Sequence, residues 1–409
     1  MTRWVKHYSK PIPYGEAPYL VDDSIYKRFD QRTNLTVGRR HANENIREAV
    51  KGILDVRAKR VLSGRSGFSQ VDYALFASAG VIATRNGTAM NHTNRGLTSW
   101  SSLGAKLLPG LERWEGSPEE ATRIVKRVAR FFGADRVGIA PLDQRWIFSH
   151  AFWEDGSYKE ISFQDQEAPI ETENQLVIPE KMRWVIVMAN WMNPEVIAYT
   201  PSPVGTAETH RTYSRMGYQI TGMAEFLRNL GYNAIPSLNG LGFNIPIAID
   251  AGLGEQGRNG KLIHPEFGPS LRICKVITDL PLITDRPVRF GAKEFCESCD
   301  KCSQLCPARS IPTGGPTWEV PGDYNHPGVF KWQLDNESCV RYRAKSFATN
   351  CAVCIRACPF TKGSQWIHNI TRIAISRFPA LNPIWRNLDD RLGYGTQVDA
   401  GRFWRELDA

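Results

Sequence analysis

Eight of the nine cysteines of this 409-residue chain lie between positions 296 and 358. They form two runs of similar spacing, each of which ends in a Cys-Pro pair. The first run reads C-x2-C-x2-C-x3-C-P, and the second reads C-x11-C-x2-C-x3-C-P. This repeated spacing is typical of proteins that hold two [4Fe–4S] clusters, because short loops let successive thiolates converge on one cluster. The chemistry that these residues predict is therefore one-electron transfer.

The two runs are predicted to share their ligands, because in such proteins the fourth cysteine of each run binds the cluster of the other run. Cluster 1 is assigned to Cys296, Cys299, Cys302 and Cys358. Cluster 2 is assigned to Cys306, Cys339, Cys351 and Cys354. The long spacing in the second run means that Cys339 must come from a separate segment. A disulfide framework is typical of short secreted chains, and zinc ribbons lack this doubled spacing, so both are disfavoured.

The elements that must position these residues follow from hydrophobic periodicity. Apolar side chains at helical spacing predict helices at 117–133 and 206–231, each with a glycine as its C-cap. Short apolar runs predict buried strands at 136–140, 184–189 and 273–277. Strands that alternate with helices favour an α/β or α+β protein with a layered core.

The remaining parts of the chain give weaker signals. Residues 1–40 are interpreted as an extended arm, and residues 63–112 as long loops rich in Gly, Ser, Thr and Asn. The formal charge of +9 suggests an acidic partner, but no long Lys/Arg run is present, so no nucleic acid is expected as a partner. No apolar run reaches the length of a membrane span. No signal peptide or twin-arginine stretch opens the chain, which leaves a cytoplasmic protein or one whose leader has been removed.

Several further stretches accompany the cysteine runs. They are FFGADRVGIAPLD (131–143), GYNAIPSLN (231–239), AIDAGLGEQGRNGKLIHPEFGPSLR (248–272), TDLPL (278–282), PFTKGSQWIH (359–368) and DDRLGYG (389–395). With them, the chain from about residue 116 to its C-terminus resembles the corrinoid- and iron–sulfur-dependent reductive dehalogenases, whereas the first hundred residues match weakly. Many ferredoxin-like proteins share the cysteine runs, so the glycine-rich block joined to them is the more specific part of the resemblance.

The resemblance implies a nitroreductase-like α/β core that holds a corrinoid, and a ferredoxin-like domain that delivers electrons to it. The implied regions are an N-terminal wrapping or capping region (1–115), the corrinoid-binding core (116–285), the ferredoxin-like domain with two [4Fe–4S] clusters (286–365), and a C-terminal tail packing on the core (366–409). Family members usually bind the cobalamin-type corrinoid base-off, and the chain indeed has no D-x-H-x-x-G lower-ligand motif.

The reaction that the resemblance implies is the replacement of a halogen of a small organohalide by hydrogen, R–X + 2e⁻ + H⁺ → R–H + X⁻. The high aromatic content suggests an apolar pocket suited to haloalkenes, such as chlorinated ethenes, or to haloaromatics. Respiratory members are exported by the twin-arginine route and lose their leader. They lie on the outer face of the cytoplasmic membrane, beside a small membrane-anchor protein and an electron donor. The resemblance also allows a homodimer.

The implied reaction needs a proton donor, and the resemblance assigns that role to Tyr213 in RTYSRM. Arg272, at the end of PEFGPSLR, matches the family's arginine partner, whose cation stabilises the phenolate. Asn239 matches the polar residue that orients the substrate or the tyrosine. Tyr218 is the alternative donor if the register differs, and Thr209, one helical turn before Tyr213, is a candidate lining residue.

Two other functions stay open at this point. Epoxyqueuosine reductase, a tRNA-modifying relative with the same cofactors, is favoured by the positive charge but disfavoured by Tyr213, because that enzyme uses an acidic residue. A non-catalytic ferredoxin-like electron carrier would contain iron and sulfide but no cobalt. Cys274, the ninth cysteine, lies in an apolar stretch and is predicted to be a small buried hydrophobe.

Overall fold

The fold is that of a computed structural model, which describes residues 8–36, 44–80, 96–104, 112–153, 156–346, 351–362 and 366–405. The predicted N-terminal region therefore lies partly outside the described residues, as do short pieces of the predicted cluster domain and of the tail. No helix within these ranges is long and apolar enough to cross a membrane.

The described elements are mostly short, apart from the helices and strands of the central layers. The strands are β1 (Lys10–Pro11), β2 (Leu20–Val21), β3 (Arg136–Pro141), β4 (His150–Phe152), β5 (Tyr158–Gln164), β6 (Ile170–Glu171), β7 (Gln175–Pro179), β8 (Trp184–Trp191), β9 (Ala234–Ser237), β10 (Glu255–Gln256), β11 (Leu262–Ile263), β12 (Leu271–Thr278), β13 (Val288–Arg289) and β14 (Val329–Phe330). The helices are α1 (Glu44–Lys51), α2 (Ile53–Leu62), α3 (Gln70–Ala79), α4 (Pro118–Phe131), α5 (Pro194–Ile197), α6 (Pro203–Asn229), α7 (Asn244–Asp250), α8 (Ala292–Ser298), α9 (Lys301–Gln304), α10 (Asn336–Lys345), α11 (Val353–Arg356), α12 (Trp366–Arg377), α13 (Asn382–Arg391) and α14 (Arg402–Arg405).

The central sheet has the strand order β3-β8-β12-β9, and each neighbouring pair is antiparallel. Successive side chains of a strand point to opposite faces. Ile186, Cys274 and Val276 accordingly contribute to one hydrophobic core, whereas Val187 and Ile277 contribute to the other. Burial on both faces explains why β8 and β12 read as nearly continuous apolar runs.

Helices α4 and α6 cover the first face of this sheet. The hydroxyl of Ser117 caps α4 by accepting a hydrogen bond from the Glu120 N–H, and Ser202 caps α6 in the same way. Gly133 and Gly231, predicted as the C-caps, each follow the cap residue and adopt the left-handed backbone, with φ of 95° and 87°. Glycine is favoured there because it has no Cβ to clash with the preceding turn.

The second face is covered by α7, by a sheet of order β4-β5-β7-β6 and by the N-terminal arm. Within the arm, β1 pairs with β13 and β2 pairs with β14. The Arg28 guanidinium donates hydrogen bonds to the carbonyl oxygens of Ile147, Phe148 and Ile161. The arm is thereby fixed against the second sheet as well as against the cysteine-bearing part of the chain.

The prediction that residues 63–112 form only loops is wrong, because α3 lies within them. Its N-terminus is stabilised by a capping box between Ser69 and Asp72. Phe68 and Phe76 pack against Ala207 of α6. The serine and the acidic residue three positions later were the sequence signal for this helix.

The cysteine runs lie on and between the short helices α8 to α11. Helices α12 and α13 of the tail pack beside α8. The Asp389 carboxylate accepts from the ammonium groups of Lys301 at 2.5 Å and of Lys362 at 2.7 Å, and all three side chains are largely buried. Farther along, Val398 packs near Tyr199, just before α6. The tail therefore contacts both the cysteine-bearing region and the core.

Candidate functional site

Tyr213, Asn239 and Arg272, the three residues predicted to act together, meet in the structure. The Asn239 side-chain amide donates a 2.8 Å hydrogen bond to the Tyr213 hydroxyl oxygen. The guanidinium carbon of Arg272 lies 5.3 Å from the centre of the Tyr213 ring, as in a cation–π contact. A donor and a cation beside a phenol form an arrangement that stabilises a phenolate. Their catalytic roles stay predictions.

Three elements converge to bring this trio together. Tyr213 lies in α6, which packs across β12. Arg272 is the second residue of β12, and its side chain points to the face that α6 covers. Strand β9 ends at Ser237, which pairs with Lys275 in the middle of β12. Because β9 ends there, the loop that carries Asn239 can reach toward α6 beside the unpaired edge of β12.

The two other residues considered for this site have different surroundings. Tyr218 is 58% exposed, and its ring packs edge-on against Phe132. A separation of five residues turns a helix by about 140° from Tyr213, so Tyr218 lies on another side of α6. Thr209 lies beside the trio, because its hydroxyl accepts a 3.4 Å hydrogen bond from Arg272.

A cleft of about 40 Å³ lies beside the loop that carries Asn239, and the trio itself is not part of its lining. Leu238 and Gly240, the neighbours of Asn239, are part of its wall together with Ser237. The Ser237 hydroxyl and the Nε of Arg272 are buried and have no hydrogen-bond partner within the part of the chain that the structure describes. Because a buried polar atom without a partner is costly, these atoms are suited to bind polar groups of a ligand.

The four cysteines assigned to cluster 1 come together in the structure. Cys296, Cys299, Cys302 and Cys358 line one small cavity and are each 6–8% exposed. Burial, together with the charge of neighbouring cysteines, raises the pKa of Cys302 far above its usual value. Thiols in such a group ionise only when a metal centre compensates their charge.

The four cysteines assigned to cluster 2 form another group, which consists of Cys306, Cys339, Cys351 and Cys354. Burial raises the pKa of Cys351 to about 12, and the charges of the other three cysteines add to the rise. Cys354 packs against a small hydrophobic cluster that includes Met192. The Thr209 hydroxyl that accepts from Arg272 also contacts the Met192 sulfur at 3.7 Å, so this group lies near the trio.

The spacing of the cysteines argues against zinc. Among the described residues, no three His, Cys, Asp or Glu side chains converge as the ligands of a single metal ion do. A zinc ion binds four thiolates at about 2.3 Å each, whereas each thiolate of a [4Fe–4S] cluster binds a different iron. The doubled C-x2-C-x3-C-P spacing, which zinc ribbons lack, is the reason for preferring clusters.

A buried arginine lies against the first cysteine group. Arg258 donates hydrogen bonds to the carbonyl oxygens of Cys296 at 2.8 Å and of Cys299 at 2.9 Å, and to those of residues 312–314. Within the described residues none of its partners is a carboxylate. A buried cation without a counter-ion is costly, so a thiolate-ligated anionic cluster fits this position.

Two glycines of the block 248–272 permit close approaches between parts of the chain. A Cβ on Gly268, whose φ is 57°, would lie 2.3 Å from the carbonyl oxygen of Phe360. A Cβ on Gly254 would lie 2.1 Å from the carbonyl oxygen of Ile263. Gly268 therefore lets the core pack closely against the loop after Cys358, and Gly254 lets β10 begin close to β11.

Sequence reasoning missed two residues near the trio. Lys275 is fully buried in β12, and its ammonium group donates to the Asn244 side-chain oxygen at 2.5 Å. The amide nitrogen of Asn244 in turn donates to the Asn239 side-chain oxygen at 2.9 Å. Burial lowers the pKa of Lys275 to about 7. A lysine within the apolar strand LRICKVIT was the available signal.

Residues 154–282 of the chain match a protein family described as reductive dehalogenase subunit. The chain is 36% identical over 365 residues to the tetrachloroethene reductive dehalogenase of Sulfurospirillum multivorans, covering 87% of this chain and 71% of that protein. It is 35% identical over 335 residues to the tetrachloroethene reductive dehalogenase of Desulfitobacterium hafniense, covering 72% of this chain and 60% of that protein. An epoxyqueuosine reductase of Lactococcus garvieae is 26% identical over only 35% of this chain.

Two solved structures have a similar fold. One is a reductive dehalogenase whose structure suggests a mechanism for B12-dependent dehalogenation. It matches with a TM-score of 0.69 and 21% identity, over 94% of this chain and 49% of that chain. The catabolic reductive dehalogenase NpRdhA matches with a TM-score of 0.66 over the same shares. The predicted α/β class is confirmed, and the chain spans about half the length of these structures.

Proposed function

The chain belongs to the reductive dehalogenase family of corrinoid-dependent oxidoreductases, and we propose that it replaces a chlorine of a chlorinated ethene by hydrogen. The balanced reaction is R–Cl + 2e⁻ + H⁺ → R–H + Cl⁻. The observation that carries this proposal is the convergence of Asn239 and Arg272 on the Tyr213 hydroxyl and ring. The substrate class is taken from the relatives, which are named tetrachloroethene reductive dehalogenases.

The family implies a corrinoid, and one buried polar atom of the trio fits such a ligand. The Nε of Arg272 has no hydrogen-bond partner within the described residues and would suit a carboxamide oxygen of the corrinoid. When bound, the corrinoid supplies two-electron chemistry at cobalt. Tyr213 then holds the proton at its hydroxyl, Asn239 donates to that oxygen, and the Arg272 cation stabilises the phenolate. The family resemblance implies that the corrinoid would be bound base-off, and the lack of a D-x-H-x-x-G motif means that no histidine of such a motif would replace the base.

We further propose that the two cysteine groups hold [4Fe–4S] clusters 1 and 2. Electrons would pass from cluster 1 to cluster 2, because the second group lies beside the trio. The supporting contacts run from Cys354 to the hydrophobic cluster that includes Met192, from Met192 to Thr209 and from Thr209 to Arg272.

The cellular setting is also a proposal. We propose a terminal reductase of organohalide respiration at the outer face of the cytoplasmic membrane, beside a small membrane-anchor protein and an electron donor, with a homodimer as its assembly. The similarity to respiratory members supports this setting. Fractionation of cells that express the protein should place it with the membranes and accessible to protease from outside, whereas protein found only in the cytosol would contradict the proposal.

The test of the function is anaerobic purification followed by metal analysis and a chloride-release assay. About one cobalt and about eight irons per chain are expected, with chloride released from tetrachloroethene or trichloroethene and reduced product formed in equal amount. Iron and sulfide without cobalt would indicate an electron carrier. Cobalt and iron together with turnover of epoxyqueuosine tRNA, and no chloride release, would indicate epoxyqueuosine reductase.

A further inference from the structure

A series of four polar side chains, the polar relay, leads from Lys275 to Tyr213. Lys275 donates to the Asn244 oxygen at 2.5 Å, Asn244 donates to the Asn239 oxygen at 2.9 Å, and Asn239 donates to the Tyr213 oxygen at 2.8 Å. The four residues lie on β12, at the start of α7, in the loop after β9 and on α6. The first is fully buried, and the last faces the proposed site of reaction.

The relay crosses the central sheet from one face to the other. Lys275 shares the α7 side of β12 with Ile273 and Ile277. Tyr213 lies on the opposite side, with α6. The crossing is made where β9 has ended, because Asn244 donates to the Ile273 carbonyl oxygen at 3.1 Å on the unpaired edge of β12.

The direction of each hydrogen bond in the polar relay is fixed by its surroundings. A charged lysine can only donate, so the Asn244 oxygen must face Lys275. The Asn244 nitrogen lies within hydrogen-bond distance of three acceptors, which are the carbonyl oxygens of Leu238 at 2.9 Å and of Ile273 at 3.1 Å and the Asn239 side-chain oxygen at 2.9 Å. Its two N–H groups are shared among these three. Because the two carbonyl oxygens can only accept, the Asn244 amide cannot be turned round, and its nitrogen favours the oxygen of Asn239 over the nitrogen.

The orientation of Asn239 decides what the Tyr213 hydroxyl can do. Because its oxygen faces Asn244, Asn239 presents an N–H to the Tyr213 oxygen. That oxygen accepts, so the hydroxyl hydrogen is directed elsewhere and stays available to a reacting group. With the amide turned round, its oxygen would accept the Tyr213 hydrogen and hold it, and the phenolate would lose a donor.

Lys275 is a costly residue for a central strand. Its ammonium group is fully buried, and its described hydrogen bonds are to Asn244 and to the Gly242 carbonyl oxygen at 3.3 Å, neither of which is charged. An apolar side chain of similar length would fill the same space without the desolvation cost. The strand therefore contains a donor where packing alone would favour a hydrophobe.

We propose that Lys275 and Asn244 are positioning residues, which set the direction of the Asn239 amide so that Tyr213 keeps its proton for the substrate. The inference rests on the proposed role of Tyr213 as the proton donor. It adds to the trio two residues that act through Asn239.

The first test compares Lys275→Met and Asn244→Asp with the parent holoenzyme in chloride release from tetrachloroethene. Methionine removes the donor at similar volume, and aspartate keeps an acceptor for Lys275 but has no N–H for Asn239. Each variant should lower kcat about 10-fold, the size of one oriented hydrogen bond, with unchanged KM and full cobalt and iron. Lys331→Met, which replaces another lysine whose pKa is lowered by burial, is the matched control and should retain the parent kcat.

The second test repeats Lys275→Met in a Tyr213→Phe background, as a double-mutant cycle. Because the polar relay acts only through the Tyr213 hydroxyl, Lys275→Met should cause no further loss there. An equal loss in both backgrounds, or a Lys275→Met enzyme as fast as the parent, would overturn the inference while leaving the proposed function intact. A fully active Tyr213→Phe enzyme would instead refute the role of Tyr213 itself.

Discussion

Tyr213 has three neighbours of different chemical character. The Asn239 amide donates to its oxygen, the Arg272 cation lies over its ring, and the Thr209 hydroxyl holds that cation from the other side. A tyrosine in a helix is usually a core residue with one hydrogen bond. The combination of a donor and a cation is what separates Tyr213 from Tyr218, which is exposed on the same helix.

Replacing Tyr213 by Phe should lower chloride release by about 10²–10⁴-fold, the usual contribution of general acid catalysis. Only a hydroxyl is removed, so cobalt, iron and the thermal midpoint should stay close to those of the parent. Tyr218→Phe is the matched control and should keep full activity. Near-normal turnover of a fully loaded Tyr213→Phe enzyme would remove this residue from the mechanism.

Arg272→Lys should also lose more activity than its retained charge suggests, because an ammonium cannot reproduce the planar guanidinium fork.

Residue types and spacing predicted the cysteine groups, because ligand spacing along the chain is itself the signal. The trio was reached only through a resemblance, because Tyr213, Asn239 and Arg272 are unremarkable in the sequence. The role of Asn244 could not be read from the sequence at all. Its partners are set by where β9 ends relative to β12, which is a property of sheet register and not of the residues themselves.

At the scale of elements, the two cysteine runs are interlocked. Cys358, which follows α11, lies with the three cysteines around α8 and α9. Cys306, which follows α9, lies with the cysteines around α10 and α11. Each group therefore depends on helices from both runs, and neither run can build a cluster site alone.

Replacing Cys358 by Ser should affect the same cluster as replacing Cys299 by Ser, although the two residues lie in different runs. Each variant should lose about half of the iron and keep the spectroscopic signal of the other cluster, and each should abolish electron delivery. Cys274→Ser is the control, because Cys274 is a buried free cysteine away from both groups. Iron and electron paramagnetic resonance measurements on the three proteins provide the comparison. Loss of different signals in Cys358→Ser and Cys299→Ser would show that the runs do not exchange ligands.

The carboxyl group of Glu255, in β10, is expected to make the stability of the protein depend on pH. Its carboxylate accepts from the N–H groups of Phe290 and Ala292 near the start of α8. Burial raises the pKa of Glu255 from 4.5 to about 7, against the lowering effect of these two donors. Between these values the folded state holds more protons than the unfolded state, so this contribution to the free energy of unfolding falls as pH rises.

Glu255→Gln should remove that dependence, because glutamine can still accept from the two N–H groups but does not titrate. Relative to the parent, the variant should gain stability between pH 4.5 and pH 7, on the order of 3 kcal/mol at most. Thermal midpoints of both holoproteins at several pH values in this interval measure the effect. Parallel pH profiles would show that Glu255 does not titrate there.

The elements themselves were predicted unevenly. The strands β3, β8 and β12 and the helices α4 and α6 were predicted because they have long, regular apolar patterns. Helix α3 was missed because its flanks are rich in Gly and Ser, although it has a capping box of its own. The short helices that hold the cysteines have no apolar period, because tertiary contacts and not local propensity determine their positions.

On the scale of the whole molecule, the N-terminal arm joins parts of the fold that are distant in sequence. Besides its strands, it is held by Arg28 and by Tyr19, whose hydroxyl donates to the Asp250 carboxylate at 2.8 Å. Burial raises the pKa of Asp250 to about 6. Because these contacts are polar, the arm has no hydrophobic periodicity in its sequence, and the sequence predicted only an extended stretch.

Arg28→Met should loosen the arm without changing the site. Three backbone carbonyls would lose a charged donor, which should lower the free energy of unfolding by about 2–3 kcal/mol. Arg47→Met, at an exposed position with a weak ion pair, should change it little. Thermal midpoints and hydrogen exchange of residues 8–36 test the expectation. Unchanged exchange in the arm of Arg28→Met would show that the strands alone hold it.

The pairing of the arm also sets an order of events during synthesis. Lys10 pairs with Arg289 and Leu20 pairs with Phe330, so the arm leaves the ribosome roughly 280 to 310 residues before its partners. At about 5–20 residues per second, that delay lasts some tens of seconds. Throughout this interval the arm lacks its two strand partners. Any chaperone that binds residues 8–36 would therefore also control when these two strand pairs form.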